Sequence, residues 1–137
     1  MPLRILVVDD YPDTRQSLRL LLKSWGHIVC EAPDGTEALR EAETFQPEVV
    51  VLDIAMPGLS GYDVARRLRL AAGSIRPLLL ALTGHTRPTD IEAALQAGLD
   101  YFFAKPCDPG QLDFLLRNFE RSRCKQGAGV ISGAADN

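Results

Sequence analysis

Carboxylate, hydroxyl and ammonium groups stand directly after four short apolar runs of this sequence. Asp9 and Asp10 follow the first such run. The third run is followed by Asp53, the fourth by Thr83 and the fifth by Lys105. Carboxylates that lie close together repel one another unless a cation offsets them, and Mg²⁺ suits this role because it prefers oxygen ligands. A lysine and a hydroxyl beside such an ion would neutralise and bind a phosphoryl group. The set therefore predicts phosphoryl-transfer chemistry, with one carboxylate as the nucleophile.

These groups would meet only if the apolar runs are parallel strands of one sheet. The runs Ile5–Val8, Val49–Leu52 and Leu78–Leu82 are short and lack polar alternation. Such runs are typical of strands that are covered on both faces. Two weaker strands are predicted at His27–Glu31 and Tyr101–Ala104.

Between the strands, apolar residues recur with the spacing of amphipathic helices. The five stripes are Leu18, Leu21, Leu22 and Trp25; Ala38, Ala42 and Phe45; Val64, Ala65 and Leu68; Ile91, Ala94 and Leu95; and Leu112, Leu115, Leu116 and Phe119. Strands alternating with helices predict an α/β fold, a doubly wound five-stranded parallel sheet in the order 2-1-3-4-5, flavodoxin-like, flanked by five helices. In such sheets, ligands bind beyond the carboxyl ends of the strands, where the strand order reverses.

Composition narrows the class of protein. The chain has 137 residues and a net charge of -3, with no cluster of positive charge that would favour nucleic acid or a membrane surface. Cys30, Cys107 and Cys124 are odd in number and widely spaced, which argues against a disulfide framework or a zinc site. We therefore expect a reducing, cytoplasmic location. Residues 1–121 are predicted to form the domain, and residues 122–137, rich in Gly, Ala and Ser, a flexible tail or truncated linker.

Four motifs, in order, carry a resemblance to a known family. They are VVDD at the end of the first strand, VLDIAMPGLSGYDV around Asp53, ALTG at Thr83, and AGLDYFFAKP ending in Lys105 and Pro106. Over roughly Leu3 to Arg121 the sequence resembles the receiver domain of response regulators from two-component (phosphorelay) signalling systems.

The resemblance implies a phosphoacceptor and a cation site. Asp53 would accept a phosphoryl group from a histidine kinase or a histidine phosphotransfer protein. Asp10, Asp53 and the backbone carbonyl of Ala55 would bind Mg²⁺ (or Mn²⁺) directly, and Asp9 would contribute through water. The domain would then be a regulatory phosphoprotein and not an enzyme with turnover.

The resemblance also implies a switch. Lys105 and Thr83 would pair with the phosphoryl group, and Phe102 would turn inward in response. The surfaces of the fourth helix, fifth strand and fifth helix would then change their preference for partners. His85 and Ala55 would flank the phosphoryl group, so we hypothesise that they influence its lifetime.

Other interpretations of the same residues stay open at this point. Asp9 and Asp10 would also suit a helix N-terminus, Thr83 a turn, and Phe102 a plain core position. A degenerate receiver that acts only as a docking module is the main alternative function. A phosphatase working through an aspartyl phosphate would typically need a second Asp at position 55, which is Ala, and no nucleotide-binding motif is present. The downstream effector or fused output domain, and a homodimer through helices 4 and 5, are not decided by the sequence.

Overall fold

The computed structural model of the protein describes residues 2–54, 60–71, 77–84, 88–105 and 108–128. Five strands alternate with five helices along these residues. The elements are β1 (Arg4–Val8), α1 (Pro12–Ser24), β2 (Ile28–Ala32), α2 (Gly35–Phe45), β3 (Val49–Asp53), α3 (Gly61–Ala71), β4 (Leu78–Thr83), α4 (Pro88–Gln96), β5 (Tyr101–Ala104) and α5 (Pro109–Ala128).

All neighbouring strands of the sheet are parallel, in the order β2-β1-β3-β4-β5. The chain moves from β1 to β2 on one side and then returns to place β3 on the other side, so the order reverses between β1 and β3. The register aligns Val8 with Leu52, Asp53 with Leu82, and Thr83 with Ala104. The polar residues that follow the strands therefore lie along one edge, and the predicted fold class is confirmed.

The central strands β1, β3 and β4 are almost entirely apolar because both of their faces are buried. Leu6, Val50 and Leu79 point to one face, where buried residues of α2, α3 and α4 pack against them. The intervening residues, such as Val7 and Val51, point to the other face and are equally buried. On that side α1 contacts β1 and β2. The continuous apolar runs of the sequence thus have their expected cause.

Helix α4 departs from the predicted stripe. Ala94 is buried as expected, but its buried neighbour is Ala97, whereas Ile91 is 37% and Leu95 57% exposed. Small side chains let α4 lie close to the sheet and leave the larger ones outside. The prediction that Ile91 and Leu95 face the core was therefore wrong.

Arg69 differs from Arg66 and Arg67, which are exposed on α3. Its guanidinium is largely buried and donates to the carbonyl oxygens of Gly98 and Pro77 and to the carboxylate of Asp100. Asp100 also accepts from the backbone N–H of Leu79 at 2.9 Å. Arg69 therefore ties α3 to the segments that begin β4 and β5.

Two compact units divide the chain, one of residues 2–106 and one that begins at residue 107 and contains α5. The first unit holds the whole sheet with α1 to α4. In the second, Leu112 and Leu116 are buried, as their stripe predicted, and Phe114 is exposed. Helix α5 continues to Ala128, beyond the domain boundary predicted at residue 121. That boundary stays a prediction.

Candidate functional site

Three carboxylates converge at the carboxyl edge of the sheet. Asp9 and Asp10 come directly after β1, and Asp53 is the last residue of β3, the neighbouring strand. One carboxylate oxygen from each of the three lies within 4.8 Å of the others. Asp9 and Asp53 are buried, 3% and 6% exposed, whereas Asp10 is exposed to solvent. The three carboxylates therefore lie close together, as the sequence predicted.

Lys105 supplies the positive charge at this cluster. Its Nζ lies 3.3 Å from Oδ2 of Asp53 and 3.5 Å from Oδ2 of Asp9. Lys105 reaches them because it directly follows β5, and its backbone N–H donates to the carbonyl of Thr83 at 2.9 Å. Three carboxylates against one ammonium leave an excess of negative charge, two of the carboxylates being removed from water.

This donor set fits a divalent cation. Oxygen ligands at a spacing of a few ångströms, with one of them open to solvent, suit Mg²⁺, which keeps several of its waters. The cation would also offset the repulsion that Lys105 alone leaves. The residues able to hold it are Asp9, Asp10 and Asp53.

The backbone around Asp9 is held from three directions. Its N–H donates to the carbonyl of Ala32 at the end of β2, at 3.2 Å. Its Oδ1 accepts from the N–H of Tyr11 at 3.0 Å, and its carbonyl accepts from Nη1 of Arg15 at 2.9 Å. The turn between β1 and α1 is therefore fixed. The part of Arg15 in this arrangement was not foreseen, because a guanidinium on a helix gives no sequence signal of its partner.

The chain beyond Asp53 is held by a close approach to α3. The N–H of Ile54 donates to the carbonyl of Leu82, and Gly61 donates to the carbonyl of Ile54, each at 3.3 Å. A Cβ at Gly61 would lie 2.7 Å from Cα of Ile54 and 2.9 Å from the carbonyl oxygen of Asp53. Only glycine fits there without moving the backbone that carries Asp53. Gly61 belongs to the SGYDV part of the motif around Asp53.

Of the remaining predicted site residues, the structure describes Thr83 and Phe102. Thr83 is buried at the end of β4, beside Asp53 on the neighbouring strand. Phe102 is half-buried and packs against the core cluster formed by the sheet and α2 to α4. Ala55 and His85 lie outside the described residues. The predictions made for those two residues stay predictions.

Comparison with known proteins agrees with this geometry. Residues 5–117 match the family described as the response regulator receiver domain. The chain belongs to this family. It is a receiver domain of the two-component signalling class, and its flavodoxin-like sheet is the one that solved members of the family show.

Relatives place the receiver among both short and long proteins. An uncharacterised 14.6 kDa protein of Leptolyngbya boryana is 42% identical over 116 residues, which cover 84% of this chain and 88% of that protein. The DNA-binding response regulator MtrA of Mycolicibacterium smegmatis is 37% identical over 129 residues. That match covers 94% of this chain but 55% of MtrA, so this chain spans about half the length of its DNA-binding relatives.

One of the similar solved structures contains a metal ion in its active-site cleft. The receiver domain of a sensor histidine kinase from Pseudomonas aeruginosa is 31% identical, with a TM-score of 0.77. The match covers 86% of this chain and 97% of that domain, which carries a magnesium ion in its active-site cleft. Among the described residues of the present receiver, no helix is both long and apolar enough to cross a membrane.

Proposed function

We propose that this receiver takes a phosphoryl group onto Asp53 and so acts as a phosphorylation-controlled switch. The observation that carries the proposal is the meeting of Asp9, Asp10 and Asp53 within 4.8 Å of one another, with Nζ of Lys105 3.3 Å from Asp53. A nucleophilic carboxylate, a site for a divalent cation and a fixed ammonium are the parts that phosphoryl transfer requires.

The transfer would exchange one bond to phosphorus for another. A carboxylate oxygen of Asp53 attacks the phosphorus of a phosphohistidine, and an O–P bond forms as the P–N bond breaks. The imidazole of the donor leaves with the electron pair of that bond. Lys105 supports the incoming charge through its ammonium, and we assign the hydroxyl of Thr83 to a phosphoryl oxygen.

Mg²⁺ (or Mn²⁺) is the cofactor of the proposal. Asp10, Asp53 and the backbone carbonyl of Ala55 would bind it directly, with Asp9 acting through water. When bound, it offsets negative charge on the carboxylates and on the transferring group. The magnesium ion in the cleft of the related Pseudomonas aeruginosa domain supports this choice.

The output of the switch is proposed at α4 and at β5. Phosphorylation adds a charge of about −1.5 to −2 at Asp53, and re-pairing of Thr83 and Lys105 with it would draw Phe102 inward. Tyr101 on β5 and Leu95 on α4 are exposed apolar side chains that a partner would contact. Helix α5 is the third element of the proposed changing surface. A homodimer through α4 and α5 is one form that such a partner would take.

The donor would be a histidine kinase or a histidine phosphotransfer protein in the cytoplasm. Chemistry would stop at the phosphorylated domain and its slow hydrolysis, so the receiver is a regulatory domain and not an enzyme. The MtrA relatives bind DNA, but they are nearly twice as long as the match, and the output served by this chain stays unassigned. The alternative of a docking module without phosphorylation would not need the complete set of Asp9, Asp10, Asp53, Thr83 and Lys105.

Beryllofluoride, an analogue of the phosphoryl group, separates these two functions. We expect a bound ¹⁹F NMR signal in the presence of Mg²⁺, no such signal with chelator, and none in Asp53→Asn. Lys23→Met, which removes an exposed lysine of α1, serves as the matched control and should bind as the wild type does. Absence of binding by the wild type would favour the docking module.

A further inference from the structure

A second charged cluster lies directly beside the Asp9–Asp10 turn. Arg15 and Arg19 of α1 both face the carboxylate of Glu31 on β2. Nε of Arg15 donates to Oε1 at 2.8 Å, and Nε of Arg19 lies 2.6 Å from Oε2 without the alignment of a hydrogen bond. We call these three residues the arginine clamp.

Arg15 connects the clamp to the site. While its Nε is held by Glu31, its Nη1 donates to the carbonyl oxygen of Asp9 at 2.9 Å. Its side chain is only 16% exposed, so the guanidinium is confined between β2 and the turn. Because Asp9 also donates to the carbonyl of Ala32, the turn is tied to β2 through the backbone and through the clamp.

The position of Glu31 fixes where the guanidinium points. Glu31 pairs in register with Val7 of β1, two residues before Asp9. Its carboxylate therefore lies beside the end of β1, and Arg15 bridges from it to the Asp9 carbonyl. A lysine has one ammonium and no planar fork, so it would not make both bonds in this geometry.

We propose that Arg15 is a positioning residue for the divalent cation, acting through the backbone of Asp9. It holds the turn in the conformation that keeps the carboxylates of Asp9 and Asp10 near Asp53. The inference rests on the proposed function, since it presumes that the carboxylates bind a cation. Groups that orient metal ligands typically change metal affinity by about 10–100-fold when they are removed, and we expect the lower end for Arg15 because it acts through the backbone.

If Arg15 acted through its charge and not through positioning, its removal would change Mg²⁺ affinity in the opposite direction, so the two explanations can be separated. A positive charge beside the cluster would weaken cation binding, so its removal in Arg15→Gln would strengthen binding if charge alone mattered. Arg15→Lys keeps the charge and would then match the wild type. If positioning matters, both variants bind Mg²⁺ more weakly.

The test is calorimetric titration of Mg²⁺ into the wild type, Arg15→Lys, Arg15→Gln and Arg4→Lys. Arg4 is the matched control, because it also binds a backbone carbonyl, that of Gln46, and pairs with Glu48, but at the opposite end of β1. We expect Kd to rise by about 10-fold in both Arg15 variants and to stay unchanged in Arg4→Lys. Urea unfolding of each variant shows whether it is folded under the conditions of the titration.

The outcomes separate the inference from the proposed function. A wild type that does not bind Mg²⁺ would overturn both. A wild type that binds, with Arg15→Lys binding equally well, would overturn only the inference. Should Arg15→Lys not fold, Arg15→Gln decides, because removal of the charge alone would strengthen binding. Weaker binding than the wild type supports positioning, and equal or stronger binding overturns it.

Discussion

The ammonium of Lys105 lies between two buried carboxylates, 3.3 Å from an oxygen of Asp53 and 3.5 Å from an oxygen of Asp9. In Lys105→Met the repulsion between the carboxylates would no longer be offset. We expect the free energy of unfolding in chelator to fall by about 1–2 kcal/mol, less than for a fully buried ion pair because Lys105 is partly exposed. Mg²⁺ should recover part of this loss, since it binds only the native site.

Urea unfolding with and without Mg²⁺ measures this effect, with Lys23→Met as the control. Lys23 lies in the last turn of α1, and its removal should cost a few tenths of a kcal/mol, about the value of a charge at a helix end. That loss should be the same with and without Mg²⁺. An equal and Mg²⁺-independent loss in both variants would contradict the assigned role of Lys105.

Cys30 gives a prediction that depends on pH. Burial and a hydrogen bond from its Sγ to Glu41 raise the pKa of the thiol from 9.0 to about 11. Because the native state holds this proton more tightly than the unfolded chain, the contribution to stability is complete below pH 9. It is lost as the pH rises toward 11.

Alkylation of Cys30 by iodoacetamide tests this value, because the thiolate is the reactive form. In a variant with Cys107→Ser and Cys124→Ser, the rate should keep rising from pH 9 toward pH 11, whereas the rate of a thiol of pKa 9.0 would level off about one pH unit above that value. Adding Glu41→Gln should lower the pKa and speed the reaction at pH 9. A folded protein whose rate levels off within about one pH unit above 9.0 would refute the prediction.

At the scale of elements, the contact between α3 and the end of β3 depends on Gly61. In Gly61→Ala the new Cβ would meet backbone atoms of Ile54 and Asp53 at less than 3 Å. We expect the free energy of unfolding to fall by about 1–3 kcal/mol, as overpacking usually costs, and Mg²⁺ binding to weaken as Asp53 shifts. Gly84→Ala is the control, since no atom lies within 4 Å of its Cβ. If the two variants are equally stable, the close approach is not a constraint.

Arg69 joins three segments at the opposite edge of the sheet from the carboxylates. We expect Arg69→Lys to lose about 1–3 kcal/mol of unfolding free energy, since one ammonium does not replace the bonds to Gly98, Pro77 and Asp100. Arg66→Lys should change it by less than about 0.5 kcal/mol, because Arg66 makes an exposed pair with Asp63. Thermal unfolding of both variants decides, and equal midpoints would contradict the role of Arg69.

Elements differ in how far the sequence predicts them, for physical reasons. The strands were predictable because burial on both faces requires continuous apolar runs, and residues after parallel strands must share an edge. The orientation of α4 was not predictable, because Ile91, Ala94 and Leu95 all fit the periodic pattern. Packing against the sheet decides that Ala94 is buried and the two larger side chains are exposed. The contacts of Arg15 and Arg69 were not predicted because their partners are distant in sequence, and because an arginine in a helical pattern is expected to be exposed to solvent.

At the scale of the whole molecule, the three carboxylates and Lys105 lie at one edge of the sheet, and exposed apolar side chains lie on α4 and β5. Phe102 lies on β5 and packs against the core cluster that includes Ala94 of α4. A phosphoryl group shifts such a molecule between two states only through contacts that differ between them. We propose that Thr83 and Lys105 make those contacts. Thr83 ends β4, Lys105 directly follows the neighbouring strand β5, and the N–H of Lys105 donates to the carbonyl of Thr83.

The most direct measurement is the intact mass of the protein after incubation with acetyl phosphate, with and without Mg²⁺. We expect a gain of one phosphoryl group that requires Mg²⁺ and is absent in Asp53→Asn. Asp63→Asn, at an exposed carboxylate of α3, should gain it as the wild type does. An undiminished gain in Asp53→Asn would contradict the account, because the phosphoryl group would then be on another residue. No gain by a wild type that also fails to bind beryllofluoride would contradict it as well.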